Sequence, residues 1–196
     1  MSFTHSREKR KAEQLEVTDP RAMRALAHPA RLAILAHLQL QGQATATECA
    51  EVAGESPSSC SYHLRTLARW GLVEQAESAD GRERPWRPRA RGMRWSVEPD
   101  APEQLAASRL LTKTFLERDL AQLKAYTERA DELPGEWGEL AYNQSSLLVT
   151  RDELIEISEQ ISDLLDRYIP RNRRRSAPKD ARLVNFFALG YPRVDR

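Results

Sequence analysis

Positions 56 to 65 read Ser-Pro-Ser-Ser-Cys-Ser-Tyr-His-Leu-Arg. Short hydroxyls, a phenol and a guanidinium are the groups that bond phosphate oxygens and base edges. Ser56-Pro57 pairs a capping residue with proline at the first helical position, so these groups open a helix that runs to Trp70 and stops at Gly71. On its first two turns lie Ser58, Ser59, Ser61, Tyr62 and Arg65, while Cys60, Leu64 and Leu67 turn toward a core. Small hydroxylic residues let a helix N-terminus come close to a phosphate-lined groove, where amides and serines bond phosphates. Arg65 can reach a guanine edge or a phosphate, and Tyr62 a base or sugar. The same serines also suit an ordinary helix start that touches nothing.

A second set of candidates is basic. Between Arg65 and Arg94 stand eight arginines (Arg65, Arg69, Arg82, Arg84, Arg87, Arg89, Arg91 and Arg94) against four acids (Glu74, Glu77, Asp80 and Glu83), in a chain of net charge only +1. A local basic stripe in a neutral chain points to a polyanion partner at one site. Arg82, Arg84 and Arg87 fall on a predicted hairpin: Leu72–Ala76 as one strand, Asp80-Gly81 as the turn, Arg82–Arg89 as the return. Pro85 and Pro88 confine the return strand to an edge. Arginines on such a wing can enter a minor groove or lie on phosphates; a solvated hairpin is the plainer alternative. Thr45 and Thr47 open the helix before the serine-rich one. Capping alone explains Thr45, and Thr47 is a candidate phosphate contact.

These residues need elements to hold them. The residues 1–18 are charged and read as a mobile arm or a frayed helix. Asp19-Pro20 opens a helix to Ala27, and Pro29 opens another carrying Leu32, Leu35 and Leu38 to Gln41-Gly42. Thr45-Ala-Thr-Glu48 matches a capping box for a short helix ending near Gly54. Gly54–Ser56 is then the short turn of a two-helix unit. A linker at Pro99–Pro102 precedes a long helix to about Leu133. Ser145–Val149 has the makings of a short strand. A second capping box, Thr150-Arg-Asp-Glu153, opens a helix to Tyr168 with Leu154, Ile157, Ile161, Leu164 and Leu165 on one face. Arg182–Leu189 has strand composition. The expected fold class is mainly α with a small β component: a winged helix-turn-helix domain over 19–97, followed by a helical accessory or dimerisation region over 98–196.

Three stretches carry a resemblance. Ala25–Leu35 (Ala-Leu-Ala-His-Pro-Ala-Arg-Leu-Ala-Ile-Leu) resembles the opening signature of bacterial ArsR-type winged-helix repressors. Ser58–Arg65, with Leu67 and Trp70-Gly-Leu-Val73, is similar to that family's recognition helix and the turn into its wing. Gly81-Arg-Glu-Arg84 with Trp86 resembles the wing itself. Together they cover about residues 17–96, and the remainder resembles the accessory segments of longer relatives more loosely. The resemblance implies a DNA-binding transcriptional regulator, a repressor, with double-stranded DNA as partner. A winged module used for protein or RNA contact is the alternative reading.

Many such relatives sense metals through a Cys-x-Cys pair near the third helix or Asp/His ligands on a late helix. Here that helix offers only Cys49, and none of His5, His28, His37 or His63 lies beyond position 63. Soft metals need several thiolate or imidazole ligands, so no metal and no cofactor are expected. Cys49 and Cys60 suit tight core packing, His28 can cap the second helix, and His63 is expected to be packed or near phosphate. There is no Gly-rich phosphate loop, nucleophile elbow or His-x-Glu arrangement, so no catalytic residues are assigned and the chain is not expected to be an enzyme.

No apolar run approaches the roughly 18–20 residues of a membrane span, and Met1–Pro20 lacks the apolar stretch of a secretion signal. Both features predict a soluble, cytoplasmic protein. The two later helices, apolar on one face, predict a homodimer; folding onto each other or onto the winged domain would also bury them. Trp137, Tyr142, Phe186, Phe187 and Tyr191 are candidates to line a small-molecule effector cavity, although core packing is the commoner use.

Overall fold

The structure, a computed structural model, describes residues 14–77, 83–90, 92–98, 100–139, 141–173 and 176–193. The chain divides into two compact units, one through Leu120 and one from Ala121 onward. In the first, β1 (Gln14–Val17) leads into α1 (Pro20–Leu26), α2 (Pro29–Gln41), α3 (Ala46–Ala53) and α4 (Pro57–Arg69). Then come β2 (Val73–Gln75), β3 (Trp86–Pro88), β4 (Gly92–Trp95) and the start of α5 (Pro102–Arg129).

Local chemistry sets the helix boundaries. Asp19 caps α1 by accepting from the Arg21 amide, and Pro20 fills the first helical position. Thr45 and Glu48 complete the capping box of α3. Gly54, left-handed at φ 65°, ends α3, and Ser56 caps α4 by accepting from the Ser59 amide at 3.1 Å. Gly71, at φ 69°, turns the chain out of α4 into β2.

β2 and β3 pair antiparallel with Glu74 opposite Arg87. Ala44 bonds the other edge of β3, exchanging backbone bonds of 3.0 and 2.8 Å with Trp86. Helices α2, α3 and α4, with a short turn joining α3 to α4, followed by this hairpin, make a winged helix-turn-helix.

The core explains why α4 presents one face. Met23, Leu26, Leu32, Ile34, Leu38, Leu64, Leu67 and Val73 are fully buried, with Cys49 and Cys60 packed among them. Each such aliphatic side chain stabilises the fold by about 1.5–3 kcal/mol through burial. The start of α5 joins this core through Ala107 and Leu111, and Phe115 stacks on Trp95 at 5.5 Å. The first unit therefore extends past residue 97 into the long helix.

The second unit contains the rest of α5, two 3-10 turns (Ala130–Glu132 and Gly135–Gly138), α6 (Arg151–Asp166) and α7 (Pro170–Arg173). Thr150 and Glu153 form the second capping box. No residue of α6 is fully buried; Leu164 and Tyr168 are about half exposed, and Leu183, Val184, Phe186 and Leu189 are more exposed still.

Four expectations change. The end of the expected arm over 1–18 is a strand: Gln14–Val17 pairs in parallel with Gly92–Trp95, a strand that the sequence reading also missed. The rest of that arm and the Asp80-Gly81 turn lie outside the described residues. Ser145–Val149 and Arg182–Leu189 are irregular rather than strands: among the described residues neither bonds a neighbouring strand. His28 occupies the cap position of α2, but its side chain makes no capping bond.

Candidate nucleic-acid interface

On α4, Cys60, His63, Leu64 and Leu67 are buried, which turns Ser58, Ser61, Tyr62 and Arg65 outward at the three-four spacing of a helical ridge. Tyr62 is 58% exposed, Ser58 and Arg65 are exposed, and Ser61 is half-buried. Ser56 and Ser58 share a hydroxyl hydrogen bond of 2.9 Å at the tip. Arg69, exposed one turn beyond Arg65, continues the ridge. The sequence reading had counted Arg69 only as charge; its spacing four residues from Arg65 was the available signal.

Ser59 lies at the inner margin of the ridge, half-buried, with its Oγ 3.4 Å from His63 Nε2. Arg31, on α2, donates from Nε to His63 Nδ1 at 3.3 Å and from Nη1 to the Ala25 carbonyl. The His28 ring lies 4.7 Å from that of His63. Among the described residues His28 Nδ1 is buried without a hydrogen-bond partner. Burial, then the neighbouring His28 and Arg31, hold the His63 pKa below the usual imidazole value. His63 is therefore packed, as expected. Its partner Arg31, 32 positions away, carries no local signal in the sequence.

The N-terminus of α3 is occupied by the chain's own carboxylates. Glu48 Oε2 accepts from the Thr45 amide at 2.7 Å and from its hydroxyl at 3.0 Å, while the Thr45 Oγ accepts from the Glu48 amide at 3.2 Å. These bonds hold the Glu48 carboxyl below its ordinary pKa. Glu83, arriving from the wing, accepts from the Ala46 amide at 3.2 Å. Thr45 is thus committed to capping on both its donor and acceptor sides, whereas Thr47 is exposed.

On the wing the candidate arginines divide. Glu74 accepts from Arg87 Nε at 2.9 Å and Nη2 at 2.7 Å, and Arg89 Nε approaches its other oxygen at 3.5 Å. Arg84 is exposed, with no ion-pair partner among the described residues. Arg82 lies outside the described residues.

Other chemistry is sparse. Burial pushes the Cys49 thiol up to about 12 and raises Cys60 as well. Among the described residues no group of three or more His, Cys, Asp or Glu is placed to hold a metal ion, and no helix is long and apolar enough to cross a membrane. Trp137, Tyr142, Phe186, Phe187 and Tyr191, the candidate effector lining, are each at least 41% exposed.

Residues 26–76 match a family described as a helix-turn-helix domain. No curated protein shows significant similarity to the chain. The chain is similar to a transcriptional regulator homologue from Pyrococcus horikoshii OT3 at 24% identity, covering 50% of this chain and 87% of that one, with a TM-score of 0.31. It is similar to the homodimeric winged helix-turn-helix DNA-binding domain of Mb0332 from Mycobacterium bovis, described as a possible ArsR-family regulator, at 20% identity (74% of this chain, 96% of that one, TM-score 0.33). It is also similar to YusO of Bacillus subtilis at 15% identity (83% and 89%, TM-score 0.33). At these TM-scores, the fold assignment rests on element order, sheet pairing and the matched helix-turn-helix segment.

Proposed function

We propose that this chain is a sequence-specific DNA-binding transcriptional regulator of the ArsR-type kind, acting as a repressor in a bacterial cytoplasm, and not an enzyme. One observation carries the reading: Ser58, Tyr62 and Arg65 stand exposed on α4, with half-buried Ser61 between them, directly opposite a buried row that fixes the helix in the domain. A recognition helix with its N-terminal residues exposed enters a major groove and reads base edges there. Arg84, with Arg82 and Arg87 as further wing candidates, supplies contacts to phosphates or the minor groove. Thr47, rather than Thr45, is the threonine available to a phosphate.

The regulator acts as a homodimer in this reading, since two recognition helices read half-sites one helical turn apart. The exposed apolar residues of the second unit, Leu164 and Tyr168 among them, favour pairing because isolated subunits rarely display many such groups together. A small-molecule effector would act through that second unit.

The test is selection of bound duplexes from a random-sequence pool, followed by titration of the enriched and random duplexes against salt. The reading expects an enriched motif of two-fold symmetry and affinity that falls steeply with salt. Absence of enrichment together with salt-independent binding would overturn it in favour of a protein-interaction module.

A further inference from the structure

Arginine on a wing is assumed to face solvent and await phosphate, yet two of the arginines here are already occupied. β2 and β3 place Glu74 directly opposite Arg87, and Arg89 follows two residues later on the same face. Val73, before Glu74, is buried and Trp86, before Arg87, packs against the core, while Gln75 is exposed. The outer face of the hairpin therefore carries one carboxylate between two guanidinium groups. Glu74 Oε1 holds Arg87 at 2.7 and 2.9 Å, and Oε2 lies 3.5 Å from Arg89. All three side chains are 40–57% exposed, so the cluster is open to an incoming anion.

We infer that Glu74 competes with DNA phosphates for Arg87 and Arg89 and so sets the overall affinity for duplex DNA; this rests on the DNA-binding reading above. Phosphate and carboxylate oxygens both accept charge-assisted hydrogen bonds from arginine, so they compete for the same N–H groups. Contact with duplex DNA must therefore break the Glu74 pairs or leave both arginines unused. The cost falls equally on every sequence, because phosphates carry no base information. Glu74 thus lowers affinity for selected and random duplexes alike, and the base contacts of α4 alone discriminate between them.

The experiment uses the full chain and a random-sequence duplex, titrated over a range of salt concentrations. Glu74→Gln keeps the shape and removes the charge. It should bind random duplex roughly two- to tenfold more tightly, the worth of one or two exposed ion pairs, with a salt slope steeper by about one or two units. Glu74→Thr, which suits a strand, should do the same. In an Arg87→Ala/Arg89→Ala background the gain should vanish. A gain that persists there would show a remote charge effect and refute competition at the arginines. Equal or weaker binding by both Glu74 variants would show that Glu74 orients the arginines instead, and would also refute it. If the unaltered chain binds duplex without salt dependence, the DNA-binding reading itself falls, a failure distinct from either of these.

Discussion

Arg31 Nε donates to His63 Nδ1 at 3.3 Å, and this one bond sets the polarity of a side chain on the candidate interface. An accepting Nδ1 carries no proton, so the neutral ring holds its hydrogen on Nε2. That nitrogen faces Ser59 Oγ at 3.4 Å and donates to it. The Ser59 hydroxyl hydrogen is then directed elsewhere. A protonated ring would set an N–H against the Arg31 guanidinium, beside the His28 ring and within reach of the Glu55 charge, which acts in the opposite sense.

A pH dependence of stability follows. The folded chain holds the His63 pKa below its unfolded value, so the unfolded chain takes up the proton first. The stability supplied by neutral His63 is complete above the unfolded imidazole range, near pH 6.5, and is lost as pH falls through the lowered folded value. Urea midpoints measured at about pH 7.5 and about pH 5 should fall further for the unaltered chain than for His63→Gln. Parallel losses in the two proteins would remove this role from His63.

The two threonines of α3 should separate cleanly. Thr45→Ala removes a hydroxyl that both accepts from and donates to Glu48, and should cost about 1 kcal/mol of stability in urea unfolding. Thr47→Ala should change stability by no more than about 0.5 kcal/mol while weakening duplex binding, because its side chain is exposed at the start of the helix.

Cys49 and Cys60 are both buried, and burial raises both thiols, Cys49 to about 12. Only the thiolate attacks alkylating reagents. Neither cysteine should react with iodoacetamide in the folded protein, and both should react once it is unfolded in urea. Rapid labelling under native conditions would contradict the packing described for α3 and α4.

The arginines of helix and wing should fail differently. Arg65→Ala should lower affinity for a selected site and relax its sequence preference, with a penalty of about 1–3 kcal/mol. Arg84→Ala should weaken all duplexes alike and reduce the salt slope by about one unit. Competition titrations of selected against random duplex read both effects.

Much of the helical framework was legible because its signals are local. Asp19-Pro20, Thr45 with Glu48, Ser56-Pro57 and Thr150 with Glu153 each place a cap and its partner within three residues. The serine tip of α4 and its outward row follow from those caps and the helical period. Features that join distant residues were not legible. Gln14 meets Gly92 in a parallel pair whose strands look like charged arm and loop in isolation. Arg31 reaches His63 across 32 positions, and the hold of Glu74 on Arg87 needs the hairpin register. Conversely, the apolar runs at 145–149 and 182–189 suggested strands because strand composition reflects packing against neighbours, and among the described residues no strand pairs with them.

The central claim is that the outward row of α4 meets duplex DNA. Backbone amide shifts of the labelled full chain, recorded while duplex DNA is added, test it residue by residue. Perturbations concentrated at Ser58, Ser61, Tyr62 and Arg65, with a second group around Arg84, are the predicted result. Saturable DNA binding that leaves those amides unmoved and shifts only residues elsewhere would contradict it.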